Sequence, residues 1–146
     1  MSRILALDHG AKRIGVAVAD LETGMAFARS AIQRRNLDHD LALVRELCTA
    51  EGVERVVIGL PLNMDGTEGP QSEAAREFGA HLADAGLHVI YEDERLSSWE
   101  AAQRLHASGH RPTRASGELD STAARVILQQ YLDARHRPGP PAEETE

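Results

Sequence analysis

The sequence predicts an α/β fold, a mixed five-stranded sheet flanked by helices, and three observations carry that prediction. The chain opens with three short runs of strand character separated by turn residues, its apolar spacing changes to that of a helix from Asn36, and strands then alternate with helices. Strands joined by short turns lie antiparallel, whereas a strand reached through a helix can return parallel, so one sheet holds both kinds. At 146 residues the chain suits a single domain, large enough to bury about two-thirds of the surface its unfolded form exposes. Residues 1–136 are expected to form that domain, and 137–146 a disordered acidic tail.

The first strand is Ile4 to Asp8, apolar until its last residue. A glycine-containing turn at Gly10 to Arg13 leads into the second, Ile14 to Asp20, where Ile14, Val16 and Val18 alternate with small residues. After the turn at Glu22-Thr23-Gly24 a third strand covers Ala26 to Ile32. Leu37, Leu41, Val44 and Cys48 then share one face of a helix that runs from Asn36 and stops at Gly52, with Cys48 half-buried. Arg55 to Gly59 is a continuous apolar run of the kind buried on both faces in a parallel sheet. A turn-rich loop, Leu62 to Gly69, precedes a helix from Pro70 to Ala85, with Pro70 suited to its first turn and Gly86 to its cap. The strand Leu87 to Glu92 follows, then a helix from Ser98 to Ser108 with a capping box at Ser97 and Glu100, and a polar loop from Gly109 to Gly117. The last helix runs from Asp120 to Ala134.

Several function classes fall away at once. The apolar run Ile4 to Leu7 is too short for a signal sequence or a membrane span, so the expected location is the cytoplasm, with no membrane partner. Cys48 stands alone, without a disulfide partner or zinc-ligand spacing. A formal charge of -7 excludes a generic polycation that coats nucleic acid, although three of the acids, Glu143, Glu144 and Glu146, belong to the tail. There is no phosphate loop of the G-x-x-x-x-G-K-[ST] kind and no G-x-S-x-G elbow. The seven histidines are scattered, and His9 is singled out only by its place beside Asp8.

The chemistry gathers in carboxylates at the ends of elements, where α/β sheets place their sites. Asp8 ends an apolar strand, and such a carboxylate is expensive to desolvate unless a cation compensates it; its plainer role is a turn aspartate bonded to the amides of His9 and Gly10. Glu92-Asp93-Glu94 ends another strand, and alternation sends Glu92 and Glu94 to one face and Asp93 to the other. Arg95 follows and can pair with a neighbouring acid. Asp120 stands where the last helix starts, a position that also suits an ordinary N-cap. Three acids from separate element ends make a site for a hard cation, since magnesium prefers oxygen ligands, and two such ions roughly 4 Å apart would suit phosphodiester hydrolysis. Lys12-Arg13, Arg34-Arg35 and His110-Arg111-x-x-Arg114 could track phosphates, while the loop from Gly59 to Thr67 can present Asn63 and Thr67 to a substrate backbone. Aromatic residues are only 3%, so base stacking is not the main source of affinity.

Four blocks of sequence resemble the YqgF/RuvX family, described both as pre-16S rRNA nucleases and as Holliday-junction resolvases. They are Leu7-Asp8-His9-Gly10-x-Lys12-Arg13-Ile14-Gly15-Val16-Ala17, Val57 through Thr67, Asp93-Glu94-Arg95-Leu96-Ser97, and Asp120-Ser121-x-Ala123-Ala124-x-x-Ile127-Leu128-Gln129. The resemblance extends from Leu5 to about Asp133. It implies an RNase H-like fold, dependence on Mg2+ or Mn2+, and a role in ribosomal RNA 5′-end maturation or in DNA recombination. It assigns the catalytic, metal-holding carboxylates to Asp8, Glu94 and Asp120, with Lys12, Arg13, Asn63, Thr67 and Arg95 as candidate substrate contacts. Members often carry lysines shortly before the last acid, where this chain has Arg114-Ala115-Ser116-Gly117-Glu118-Leu119. The expected partner is nucleic acid, precursor rRNA or branched DNA, bound by a monomer or a homodimer. Two other classes compete with this reading. Asp8-x-Gly10-x-x-x-x-Gly15 also resembles the first phosphate loop of actin-like ATPases and sugar kinases, but the chain lacks a second lobe to enclose ATP. A non-catalytic nucleic-acid-binding module would have no reason to keep three carboxylates where phosphates must approach.

Overall fold

In the computed structural model, which describes residues 3–63, 65–93 and 118–136, the side chains of the last stretch are described from 121 to 134. The opening runs form β1 (Arg3–His9), β2 (Arg13–Asp20) and β3 (Met25–Gln33), and the later ones β4 (Val53–Leu60) and β5 (His88–Asp93). The helices are α1 (Leu37–Glu51), α2 (Pro70–Asp84) and α3 (Glu118–His136). The five strands make one sheet in the order β3-β2-β1-β4-β5, with β1–β2 and β2–β3 antiparallel and β1–β4 and β4–β5 parallel. The mixed five-stranded sheet is therefore as the sequence predicts.

Element ends move by a residue or two. Asn36 caps α1 by accepting the His39 amide on its side chain, and Gly52 ends it at a φ of 69°, a left-handed conformation that glycine adopts without steric cost. Cys48 is more deeply placed than its spacing suggested: it is buried in the core, which pushes its thiol up to about 11 and leaves it an unreactive apolar group. The expected helix over 98–108, the loop over 109–117 and the tail over 137–146 lie outside the described residues.

Alternation along the strands divides the core into two layers. Leu5, Leu7, Ile14, Val16, Val18, Val56 and Ile58 face α1 and α2, where they meet Val44, Cys48, Ala75, Phe78 and Leu82. Ile4, Ala6, Ala17, Ala19, Ala26 and Val57 face α3 and its Ala124, Ile127, Leu128, Tyr131 and Leu132. The sheet's contribution to this second layer is mostly alanine, which lets the helix lie close to the strands. At its far end Gln129 ties α3 to the β2–β3 corner, its Oε1 accepting the Ala26 amide at 3.0 Å and its Nε2 donating to the Gly24 carbonyl at 2.9 Å. Among the described residues no helix is long and apolar enough to cross a membrane.

Candidate active site

Asp8 is the next even position after Ile4 and Ala6, so its carboxylate stands on the α3 face of the sheet. It is half-buried there, paired across the antiparallel ladder with Gly15. On the other side, β4 runs parallel with Leu7 opposite Ile58, and continuing that register sets Gly59 beside Asp8. Asp8 thus has a glycine on each neighbouring strand, and neither neighbour covers it with a side chain. Gly59 in turn pairs with Glu92. Glu92 lies on the same face two strands from Asp8, at a spacing of about 10 Å.

The start of α3 closes this shelf from above. β3 carries an extra residue opposite Gly15, where the register shifts between Ile14 and Val16, and beside this bulge the Val16 amide donates to the buried Ser121 Oγ at 3.3 Å. Val16 is one residue from Asp8's partner, so the first turn of α3 is fixed next to the end of β1. That turn already begins at Glu118, which puts Asp120 inside the helix rather than at its cap; an acid in a first turn is favoured by the helix dipole. Ser121 stood in a sequence block that the family resemblance used, yet nothing in its spacing marks it as the anchor of the helix.

Of the strand-end acids, Glu92 and Asp93 occupy successive, alternating positions of β5. Glu92 faces α3, where the Gln130 amide lies 3.4 Å from its carboxylate. Burial pushes the Glu92 carboxyl above its usual range; the Asp93 charge adds to this and the Gln130 hydrogen bond opposes it. Glu94 and Arg95 lie outside the described residues, as does the side chain of Asp120. Among the described residues no group of three His, Cys, Asp or Glu side chains is placed to hold a metal ion.

Candidate substrate contacts sit at the same end of the sheet. Lys12, exposed, and Arg13, half-buried, occupy the β1–β2 turn, which closes through a hydrogen bond from the Gly10 amide to the Arg13 carbonyl at 2.9 Å. A Cβ on Gly10 would lie 2.7 Å from that carbonyl oxygen, so the turn requires glycine. Asn63 and Thr67 are exposed but engaged with each other: Asn63 Nδ2 donates to Thr67 Oγ1 at 3.0 Å, and Thr67 Oγ1 donates to Asp65 Oδ1 at 2.6 Å. The loop after β4 is thus a self-bonded turn.

His9, adjacent to Asp8 in sequence, is sent to the opposite face. Its ring is buried against Phe78 with centroids 4.9 Å apart. Burial lowers its pKa from 6.5 to about 4, helped by the Arg34 charge and opposed by Asp40. Since the folded value lies below the unfolded one, the stability this neutral ring contributes is complete above pH 6.5 and drains away as pH falls towards about 4, because the unfolded chain takes up the proton first. In chelator, urea unfolding at pH 5 should show about 2 kcal/mol less stability than at pH 7.5. The loss should shrink in His9→Phe, which keeps a ring on Phe78. An equal loss in both proteins would refute this role for His9.

The matches to known proteins bear on the family and the fold. The RuvX family model, described as "Holliday junction resolvase", matches residues 2–134. A protein of Anaeromyxobacter dehalogenans named "Putative pre-16S rRNA nuclease" is 48% identical over 134 residues, covering 91% of this chain and 98% of its own. One of the same name from Moorella thermoacetica is 46% identical over 132 residues, covering 90% and 94%. Among solved structures, Thermus thermophilus RuvC aligns with a TM-score of 0.58 at 17% identity, over 91% of this chain and 95% of that one. The fowlpox virus Holliday junction resolvase aligns at 0.56 and 15% identity, over 90% and 99%. At such identities the two structures speak for the fold alone, which is the RNase H-like fold. Matched from residue 2 to residue 134 by the family model, and sharing nearly half its residues with relatives it covers almost end to end, the chain belongs to the RuvX family, a family of nucleases.

Proposed function

We propose that this chain is a cytoplasmic nuclease that hydrolyses phosphodiester bonds in the 5′-end maturation of pre-16S rRNA, with Mg2+ or Mn2+ held by Asp8, Glu94 and Asp120. The observation that carries the reading is the fixing of the α3 start, through Ser121 and Val16, beside the glycine-flanked shelf at Asp8, one residue before the end of β1. Relatives bearing the pre-16S rRNA nuclease name support the substrate.

The donor set suits such a cation, because carboxylate oxygens are the ligands hard divalent ions take, and Asp8 offers one, half-buried between two strands that each present it a glycine. When bound, the ion supplies an activated water and charge stabilisation for the leaving oxygen. The chain's own residues bind and orient. Gly15 and Gly59 leave room for the substrate backbone beside Asp8, Lys12 and Arg13 attract its phosphates from the adjoining turn, and Asn63, Thr67 and Arg95 line its approach. A linear RNA end needs only one copy of the chain.

Junction resolution is the second reading, supported by the description of the family. It demands two symmetry-related nicks and hence a homodimer. A labelled precursor 16S rRNA 5′ segment and a labelled four-way DNA junction, offered side by side with magnesium, manganese or chelator, separate the two. Metal-dependent cutting of the RNA alone is the expected result. Paired symmetric nicks in the junction would establish the resolvase, and no cutting of either would leave a nucleic-acid-binding module.

A further inference from the structure

The sequence offers Arg34-Arg35 as a dibasic pair for phosphates, but the two side chains have different fates. Arg34 is turned inward. Its Nε donates to Asp40 Oδ2 at 3.1 Å and a terminal nitrogen donates to the Gly10 carbonyl at 2.9 Å, while its backbone amide donates to the Lys12 carbonyl at 3.0 Å. One residue therefore holds the β1–β2 turn on both sides of its tip. Asp40, fully buried in the first turn of α1, is saturated: its Oδ1 also accepts the Arg35 amide at 3.1 Å and lies 2.9 Å from His39 Nδ1. Burial would push the Asp40 carboxyl up, but these hydrogen bonds hold it below the usual carboxylate range.

We infer that Asp40 and Arg34 are positioning residues for substrate binding: Asp40 orients the Arg34 guanidinium, which fixes the β1–β2 turn so that exposed Lys12 meets a substrate phosphate beside Asp8. Neither touches substrate. The inference rests on the nuclease reading, in which Lys12 contacts the nucleic-acid backbone. A turn joined to the sheet only by its own closing bond would leave Lys12 to sample many positions, and each immobilised long side chain costs binding free energy that a fixed backbone reduces. The buried acid next to a phosphate-binding turn then has a purpose that net charge alone would deny it.

Charge and position predict opposite signs, and this makes the test decisive. Asp40→Asn removes a negative charge near the binding face, so simple electrostatics would tighten nucleic-acid binding. Positioning predicts weaker binding, by roughly tenfold, and a plot of log affinity against log salt whose slope is shallower by about one phosphate contact. Binding is read in calcium, which is expected to support binding without cleavage, using the labelled RNA 5′ segment and the four-way junction as probes. Adding Lys12→Ala to Asp40→Asn should cost less than about twofold more, although Lys12→Ala alone costs roughly tenfold. Arg34→Lys keeps the charge but cannot reach Asp40 and Gly10 together, and it should reproduce the shallower slope; it decides the matter should Asp40→Asn fail to fold. If the wild type binds a probe and the folded variants bind as tightly with an unchanged slope, or if the Lys12 and Asp40 effects simply add, positioning is overturned and the nuclease reading stands. A wild type that binds neither probe overturns both.

Discussion

Asp8→Asn should lower metal-dependent cleavage of the precursor RNA segment about a thousandfold or more, equivalent to about 4 kcal/mol of activation free energy, while stability changes by less than about 1 kcal/mol. The amide has the size of the carboxylate and still accepts hydrogen bonds, so the end of β1 keeps its pairing with Gly15. What it loses is the charge that a hard cation requires. Asp38→Asn is the matched control, since Asp38 is an exposed acid on α1 and the same substitution there should leave the rate alone. Equal rates in Asp8→Asn and wild type would remove Asp8 from the site.

Ala17→Leu should damage the enzyme in a different way. Ala17 is fully buried on the strand face against α3, in a layer that depends on small residues for its closeness. Three added carbons have no space there; overpacking of this kind costs about 1–3 kcal/mol and forces the helix off the sheet. As the start of α3 moves, the spacing between the proposed metal ligands Asp120 and Asp8 changes with it, and displacement of a catalytic group by about 1 Å costs on the order of a hundredfold in rate. Unfolding and cleavage assays should therefore both fall, with the activity loss larger than the fraction unfolded explains. Full activity in a folded Ala17→Leu protein would show that α3 does not set the site's geometry.

Much of this arrangement is legible in the sequence. The three opening strands, the helix after Asn36 and the apolar strand at Arg55 follow from periodicity and turn chemistry, because those signals depend on neighbours in sequence. Alternation puts Asp8 on the face of Ile4 and Ala6, and the packing of α3 identifies that face. What sequence could not supply were relations between distant elements. Nothing local shows that β4 inserts between β1 and β5 and brings Gly59 beside Asp8. Nothing local distinguishes Arg34, turned inward to Asp40, from Arg35, or assigns a buried role to an aspartate in a first helical turn that reads as solvated. His9 was singled out for its proximity to Asp8, yet the same alternation that exposes one side chain to the site buries the next against Phe78. Glu94 and the Asp120 side chain rest on the family resemblance.

The bonds that seat α3 join residues made far apart in time. Ser121 and Gln129 hold partners 105 and 103 residues earlier in the chain. At ordinary elongation rates of about 5–20 residues per second, Val16 and Ala26 have been synthesised for roughly 5–20 s before the helix that covers them exists. Until then the alanine face of the hairpin strands has no cover, and the shelf at Asp8 has no closing turn. A nascent chain is thus an incomplete nuclease until α3 has left the ribosome, surrounded by ribosomal RNA for all of that interval.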